Sequence, residues 1–357
     1  MKFFFKHCTR RIHVKKDQSS KAPDNILIVM NALSPLLEPL NASFWPLQQC
    51  VFEHGSVVDC FHSIHAMGGV FWAYVLISAY CLIFAQISGN YSKVDQLWSI
   101  TPWLYGWMMY AHWSSLHAGL VHERLLLVCI LTTIWGLRLT YNFWRRDGYG
   151  NLFTHEEDYR WAILRSHINS KALFAVFNAT FISPYQNLIL LLIIMPAYHV
   201  MNNEISCNAL DYSCAVMFIV LLGIETLADQ QHWNYHKKKY SVTVKQRDVH
   251  PDPDVRDGFL QSGLFRYCRH PNYFAEQGQW VCVYLFTLTH APMISAWELF
   301  NVYGLGVFLL ITLFQGSMRF SEGITLSKHP KYRLYQARVN QCIPSLFPAS
   351  DDDRKYL

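Results

Sequence analysis

The chain has 357 residues, of which 52% are hydrophobic and only 15% are charged, with a formal net charge of +5. Soluble proteins carry charge on about a quarter of their residues. Here Asp, Glu, Lys and Arg are missing from five whole intervals, between residues 59 and 93, 95 and 123, 171 and 204, 276 and 298, and 298 and 319. Each is near or above the ~20 residues that a helix needs to cross a bilayer. The composition excludes a soluble enzyme, a disordered chain and a nucleic-acid-binding module, and predicts an all-α polytopic membrane protein.

In chain order, the sequence predicts an N-terminal extension over residues 1–67, one transmembrane domain over 68–348 and a charged tail over 349–357. Within the domain, hydropathy predicts about seven transmembrane helices, at 69–88, 97–116, 124–143, 172–200, 211–231, 277–290 and 299–317. Ser183-Pro184 interrupts the fourth span and predicts a kinked helix or two short helices there. The sixth span is short, which favours a helix that leans against protein rather than lipid.

Three basic polar segments separate these spans: residues 145–171, residues 232–272 and the tail after Arg319. An even number of spans lies between each segment and the next, so all three face one side, which the positive-inside tendency makes cytosolic. The N-terminus then lies on the far side, although its first residues are basic. The sequons at Asn41 and Asn90 test this arrangement, because only one of them can face the glycosylating compartment.

Ionisable groups inside membrane spans are costly and usually mark a site or a buried partner. Three spans carry polar residues at i, i+4 and i+7 spacing, which places them on one helix face. These polar stripes are Arg138, Asn142 and Arg145 in the third span; Glu225, Asp229, His232 and His236 in the fifth; and Asn272, Glu276 and Gln279 at the start of the sixth. Structural pairing of Arg138 with Glu225 or Asp229 is one interpretation. We favour convergence of the three stripes on a polar, phosphate-bearing ligand.

Residues 263–276 carry the strongest local signal, an Arg269-His270-Pro271 turn that enters a helix. The proline fixes the start of the helix. Arg269 and His270 can contact phosphate oxygens beside the helix N-terminus, whose free N–H groups favour anions. Together with the polar stripes, this segment predicts an anion-binding turn.

Seven short elements follow one another along the chain: VDQLW at 94–98, WGLRL at 135–139, EDYRW at 157–161, ETLAD at 225–229, RHPNYF at 269–274, and the segments 317–322 and 332–344. In this order they resemble the steroid 5-alpha-reductase-like family, specifically its branch of membrane oxidoreductases with a DUF1295-type domain. The resemblance covers roughly residues 70–348. It implies a seven-helix fold whose cytosolic loops bind NADPH, and reduction of a carbon–carbon double bond that is conjugated to a carbonyl.

The resemblance also implies site residues, since Asp229, Asn272 and Glu276 match cofactor-contacting positions of 5-alpha reductases. The predicted NADPH site consists of Arg138, Asn142, Asp158, Arg160, Glu225, Asp229, His236, Arg269, His270, Asn272, Tyr273, Glu276 and Glu322. The reduction also needs an acid to stabilise the enolate. The candidate donors are Asp95, Tyr105, Tyr110 and Tyr141, of which Asp95 and Tyr141 are predicted as catalytic. The expected partners are the bilayer and an apolar lipid of sterol, enoyl or isoprenoid type, and no metal is expected. The expected compartment is the endoplasmic reticulum, with a mitochondrial membrane as the alternative.

Other functions fit parts of the sequence. Isoprenylcysteine carboxyl methyltransferases share an Arg-His-Pro-x-Tyr turn and bind S-adenosylmethionine, but the acidic pair Glu225 and Asp229 and the EDYRW segment speak against that class. A membrane scaffold that kept the fold and lost activity is the non-enzymatic alternative. A di-iron desaturase needs several histidine boxes, and His232-x-x-x-His236 is a single one.

Overall fold

The computed structural model describes residue 34 and residues 65–150, 157–288 and 300–349. Its α-helices are α1 Ala66–Ser88, α2 Lys93–Trp98, α3 Thr101–Leu116, α4 Glu123–Trp144, α5 Tyr159–Ile168, α6 Lys171–Phe177, α7 Gln186–Met201, α8 Ala209–Tyr240, α9 Val244–Asp248, α10 Pro253–Asp257, α11 Pro271–Leu285, α12 Leu305–Lys328 and α13 Tyr332–Arg338. A π-helix, Asn178–Tyr185, joins α6 to α7. The described residues contain no strand, so the predicted all-α fold class is confirmed.

Five helical stretches of the described residues are long and apolar enough to cross a membrane: Ala66–Ser88, Glu123–Trp144, Lys171–Met201, Ala209–Tyr240 and Val302–Lys328. The second and sixth predicted spans correspond to α3 and α11, which have 16 and 15 residues. Both are shorter than the ~17 residues at the low end of the spanning range, so the count of seven stays a prediction. The charged tail after residue 349 and almost all of the N-terminal extension, including Asn41, lie outside the described residues.

The interrupted fourth span is one continuous helical stretch with a π-helical segment around Pro184, as a kinked helix would require. A proline inside a helix removes one N–H and displaces the carbonyl of the preceding turn. Side chains also bind two carbonyls at this bend: Asn187 donates to the carbonyl of Ser183 at 2.7 Å, and Tyr74 donates to that of Pro184 at 3.3 Å. Backbone carbonyls need such partners inside a bilayer, where water is missing.

Two helices extend beyond the predicted spans. The helix of the fifth span continues to Tyr240 as α8, and that of the last span continues to Lys328 as α12, so Glu322 lies within a helix rather than in a polar tail. The hydropathy signal ends where the first charges occur, but a helix persists when its polar residues have partners. Lys237, Lys238 and Lys239 in the last turn of α8 also suit the negative end of its dipole.

The helix ends are bound together at two opposite ends of the bundle. At one end, which we call the site end, Ser92 bonds the backbone of Asp158 at 2.9 Å and Arg145 bonds Gln230 at 2.8 Å. At the other end, Arg124 and Asp211 form an ion pair at 3.1 Å whose side chains are fully buried. The segments that the sequence assigned to one membrane face therefore lie together at the site end.

Candidate functional site

The predicted polar stripes of α4 and α8 meet at Arg138. Its Nη1 lies 2.7 Å from Oδ2 of Asp229, and its Nη2 lies 2.5 Å from Oε1 of Glu225. Asn142, one turn along α4, donates to the same Asp229 oxygen at 2.8 Å. The Arg138 side chain is only 10% exposed, so these are buried charges. The pairing that the structural interpretation expected is present, and it also joins two of the three stripes.

The stripe of α11 completes this arrangement. Pro271 occupies the first turn of α11, and Asn272 directly after it donates from Nδ2 to Oδ1 of Asp229 at 3.2 Å. Two turns along the helix, Gln279 donates to Oε2 of Glu225 at 2.7 Å. Side chains of α4 and α11 therefore bind the same two carboxylates of α8, and we call this set of side chains from three helices the Arg138 cluster.

Glu276 lies on the same α11 stripe and is buried, but its Oε1 has no hydrogen-bond partner among the described residues. The same holds for Oε1 of Gln279. The Trp98 side chain, on α2, contacts the Glu276 carboxyl group. The cluster thus brings the carboxyl groups of Glu225, Asp229 and Glu276 to one guanidinium. The Nε atom of Arg138 is a buried donor that also has no hydrogen-bond partner among the described residues. Unpaired buried polar atoms are costly, so the cluster favours a ligand that brings both hydrogen-bond donors and an acceptor.

A second group of predicted site residues lies where α5 begins. Asp158 caps α5 by accepting from the backbone N–H of Arg160 at 2.9 Å, and the Arg160 guanidinium holds both carboxylate oxygens at 2.8 and 3.0 Å. Burial raises the pKa of Asp158, but the charge and hydrogen bonds of Arg160 outweigh it and hold the pKa below its ordinary value. Arg160 also donates to Oγ of Ser317 at 3.0 Å, which fixes α5 against α12.

Asp95 lies beside this pair and accepts from the indole N–H of Trp161 at 2.9 Å. Burial raises the pKa of its carboxyl, and the negative charge of Asp158 adds to that, although Arg160 acts in the opposite direction. Asp95 and Trp98 both belong to the short helix α2. This helix therefore connects the surroundings of Asp158 with Glu276.

Arg269, predicted to contact phosphate, binds protein acceptors instead. Its Nε and Nη2 hold the Glu322 carboxylate at 2.7 and 3.0 Å, and its Nη1 donates to the carbonyls of Gln336 and Val339. His270 contacts the same carboxylate at 2.9 Å through Nε2. These contacts use four of the five guanidinium N–H donors. Arg269 and Glu322 thus hold the C-terminal segment against the turn before α11.

The remaining three predicted residues belong neither to the Arg138 cluster nor to the groups around Asp158 and Arg269. The side chain of Tyr141 is 56% exposed and lies beside Arg145, whose guanidinium carbon is 5.6 Å from its ring centre. His236 contacts His232, with 3.3 Å between their Nε2 atoms, further along α8. Tyr273 points to α12, where its ring meets Phe314 at a centroid distance of 4.7 Å.

Two contributors are absent from the predicted NADPH site. Gln279 was predicted as a member of the α11 stripe by its spacing, but it was not included in that site. Gln336 donates to Oε2 of Glu322 at 2.9 Å. No local sequence pattern predicts this contact, because the two residues lie on different helices. In the part of the chain that the structure describes, no group of three or more His, Cys, Asp or Glu is arranged to hold a metal ion.

Comparison with known proteins gives the family of the chain. The profile of DUF1295, described as a protein of unknown function, matches residues 81–339. The chain belongs to the DUF1295 family. An uncharacterized protein of Schizosaccharomyces pombe, C594.04c, is 35% identical over 263 residues, which cover 72% of this chain and 73% of the yeast protein. No solved structure matches the chain.

The DUF1295 region contains every residue of the three groups described above. It begins within α1, before Asp95, and ends after Gln336 at the close of α13. The Arg138 cluster, the Asp158 pair and the Arg269–Glu322 pair are therefore features of the family region, and not of the flanking segments.

Proposed function

We propose that this protein is a membrane-embedded, NADPH-dependent reductase of a conjugated carbon–carbon double bond in a lipid of sterol, enoyl or isoprenoid type, similar to the steroid 5-alpha-reductase-like family. The observation that carries the proposal is the convergence of three polar stripes on Arg138 inside the bundle. Buried ion pairs are seldom more stable than apolar packing, and ionisable groups at membrane depth usually serve a function. A scaffold gains little from such a cluster.

The hydrogen-bonding pattern of the cluster fits a nicotinamide. A carboxamide NH₂ group donates two hydrogen bonds, and the unpaired Oε1 atoms of Glu276 and Gln279 are acceptors without a donor. The rings of Trp135 and Trp280, buried below the cluster, meet at a centroid distance of 4.8 Å and give an apolar wall. When bound, NADPH supplies the hydride. The protein's residues bind and orient the reactants and exclude water.

We assign proton donation to Asp95 before Tyr141. A carboxyl group with a raised pKa keeps its proton closer to neutral pH, which suits a general acid. The indole N–H of Trp161 holds one oxygen of this carboxyl. Tyr141 has an exposed ring, which suits chemistry in a dry site less well. The endoplasmic reticulum membrane stays the expected compartment.

The test is thermal unfolding of the purified protein in detergent, titrated in parallel with NADPH, NADH and S-adenosylmethionine. A ligand that binds only the folded state stabilises it by ~2.7 kcal/mol at a hundredfold excess over its Kd. We expect stabilisation by NADPH. A response to S-adenosylmethionine alone would instead identify a methyltransferase, and a response to none of the three an inactive scaffold.

Two variants test whether the stabilisation by NADPH depends on the Arg138 cluster. Asn272→Ala removes one amide donor, and Asp229→Asn removes the charge that Arg138 holds. Each should weaken NADPH binding about 10- to 100-fold, the range expected when a hydrogen bond to a charged group is lost. The control is Glu204→Gln at the opposite end, where the carboxylate accepts from Trp113. Normal NADPH affinity in both cluster variants would remove this site assignment.

A further inference from the structure

A group of basic side chains from three segments meets at the site end, beyond the Arg138 cluster. Lys239 of α8 donates from Nζ to the carbonyl of Gly258 at 2.6 Å, and Arg247 of α9 donates from Nε to the carbonyl of Lys239 at 2.9 Å. The His329 ring packs on the α-carbon of Gly258, where a methyl group would lie 2.2 Å from its Cε1. Lys328 precedes it at the end of α12. We call these four side chains the basic group.

Among the described residues, no carboxylate neutralises the charges of this group. Lys239, Arg247 and Lys328 form no ion pair with a carboxylate in the residues that the structure describes. The nearby acids have other partners. Asp252 pairs with Lys238, and Asp257 with Lys331, while Asp254 accepts from Ser262. Burial and the charges of Lys239, Lys328 and Arg247 lower the pKa of His329, which agrees with a local excess of positive charge.

Helix dipoles account for only part of this arrangement. Lys239 lies at the C-terminus of α8 and Lys328 at the C-terminus of α12, where the negative end of each helix dipole stabilises a positive charge. Arg247 and His329 come from outside these two helices, yet they lie at the same place. An uncompensated group with three permanent cations and an imidazole is the usual composition of a phosphate site.

The position of the group relative to the Arg138 cluster fits the reach of a dinucleotide. Lys239 continues the α8 stripe of Glu225, Asp229, His232 and His236, since it follows His236 by three residues. Ten residues of α-helix separate Asp229 from Lys239, a rise of about 15 Å. An extended dinucleotide can bridge that distance along one helix face, with its nicotinamide at the cluster and its adenosine at the basic group.

We infer that Lys239, Arg247, Lys328 and His329 bind the 2′-phosphate of the adenosine moiety of NADPH and thereby select NADPH over NADH. This inference rests on the proposed reductase function, which names the cofactor but not the residues that distinguish its two forms. The 2′-phosphate is the one group that NADPH has and NADH lacks. We therefore expect the preference of the protein for NADPH over NADH to depend on side chains that contact the 2′-phosphate and no other part of the cofactor.

The experiment measures the Kd of NADPH and of NADH for the wild type and for Lys239→Gln, Arg247→Gln, Lys328→Gln and the triple variant, by thermal shift in detergent. Each single change should weaken NADPH about tenfold, the effect of one charge-assisted contact, and leave NADH unchanged. The triple variant should bind both nucleotides equally. Lys245→Gln is the matched control, because Lys245 is exposed on α9 and outside the basic group.

Adenosine 2′-phosphate and adenosine form a second arm that needs no nicotinamide. The wild type should be stabilised by adenosine 2′-phosphate more than by adenosine, and the triple variant equally little by both. An unchanged preference for NADPH in the triple variant overturns the inference and leaves the proposed function intact. Stabilisation by adenosine 2′-phosphate without any response to NADPH removes the reductase proposal and keeps the phosphate site. Stabilisation of the wild type by vesicles with phosphatidic acid, and by neither nucleotide, assigns the group to a lipid headgroup and overturns the inference.

Discussion

Asp95 and Asp158 are two neighbouring carboxyl groups with opposite properties. Arg160 pairs with Asp158 in a bidentate arrangement, and the pKa of Asp158 is low. Asp95 is buried beside this negative charge, and its pKa is raised above the ordinary 3.8. A carboxyl group whose pKa rises on folding lowers stability wherever the unfolded chain ionises it more readily than the folded protein does. The cost is therefore absent below pH 3.8, grows as the pH rises, and reaches its full value above the folded-state pKa.

Replacing Asp95 by Asn tests this environment. The amide keeps an oxygen for the Trp161 indole but carries no charge. Asp95→Asn should therefore unfold at a higher temperature than the wild type at neutral pH, and the difference should shrink as the pH falls toward 3.8. Thermal unfolding between about pH 4 and about pH 8 measures it. Asp158→Asn should show the opposite sign, because it loses its bonds to Arg160. A pH-independent loss of stability in Asp95→Asn would contradict this account.

At the scale of single residues, spacing alone predicted the contents of the Arg138 cluster. Positions four and seven apart share a helix face, and an unpaired arginine within a span needs a carboxylate. The sequence does not specify which neighbouring helix each polar face contacts. Arg269 shows this limit: its motif resembles an anion-binding turn, but its donors are taken by Glu322 on α12 and by the segment after α13. Such long-range partners leave no local signal.

At the scale of helices, close packing depends on one glycine between α12 and α7. A methyl group on Gly306 would lie 2.2 Å from the backbone carbon of Leu192, so the two helices approach at this point as closely as small residues permit. Hydropathy predicts the span but not the contact, since it indicates which residues lie in the membrane and not which neighbour a helix face touches.

Gly306→Ala should therefore destabilise the protein, because the helices must separate to admit the methyl group. Overpacking of this kind costs ~1–3 kcal/mol. Gly316→Ala is the control within the same helix, since a methyl group there meets no other atom within 4 Å. That change should be neutral or slightly stabilising, because alanine favours the helix by ~0.5–1 kcal/mol. Thermal unfolding in detergent compares the two, and equal effects would show that the contact does not limit packing.

At the scale of the whole molecule, the two ends of the bundle should face opposite sides of the membrane. Three of the five candidate spans, Glu123–Trp144, Lys171–Met201 and Ala209–Tyr240, lie between Leu120 and Val249. An odd number of crossings places these two residues on different sides. The positive-inside tendency predicts that the basic segments around Val249, and with them the site end, face the cytosol. Apart from α3, with its 16 residues, the number of crossings then depends on whether α11, with its 15 residues, passes through the bilayer.

Cysteine labelling in a cysteine-free parent decides both points. Leu120, Val249 and Phe300 are 62%, 80% and 85% exposed, so Leu120→Cys, Val249→Cys and Phe300→Cys should accept a membrane-impermeant maleimide from the side that each faces. Val249→Cys should react when only the cytosolic side is open, and Leu120→Cys only after the membrane is permeabilised. If α11 crosses, Phe300→Cys reacts with the second group, as the seven-helix prediction requires. If Phe300→Cys reacts together with Val249→Cys, α11 enters and leaves on one side, and the prediction of seven spans is wrong.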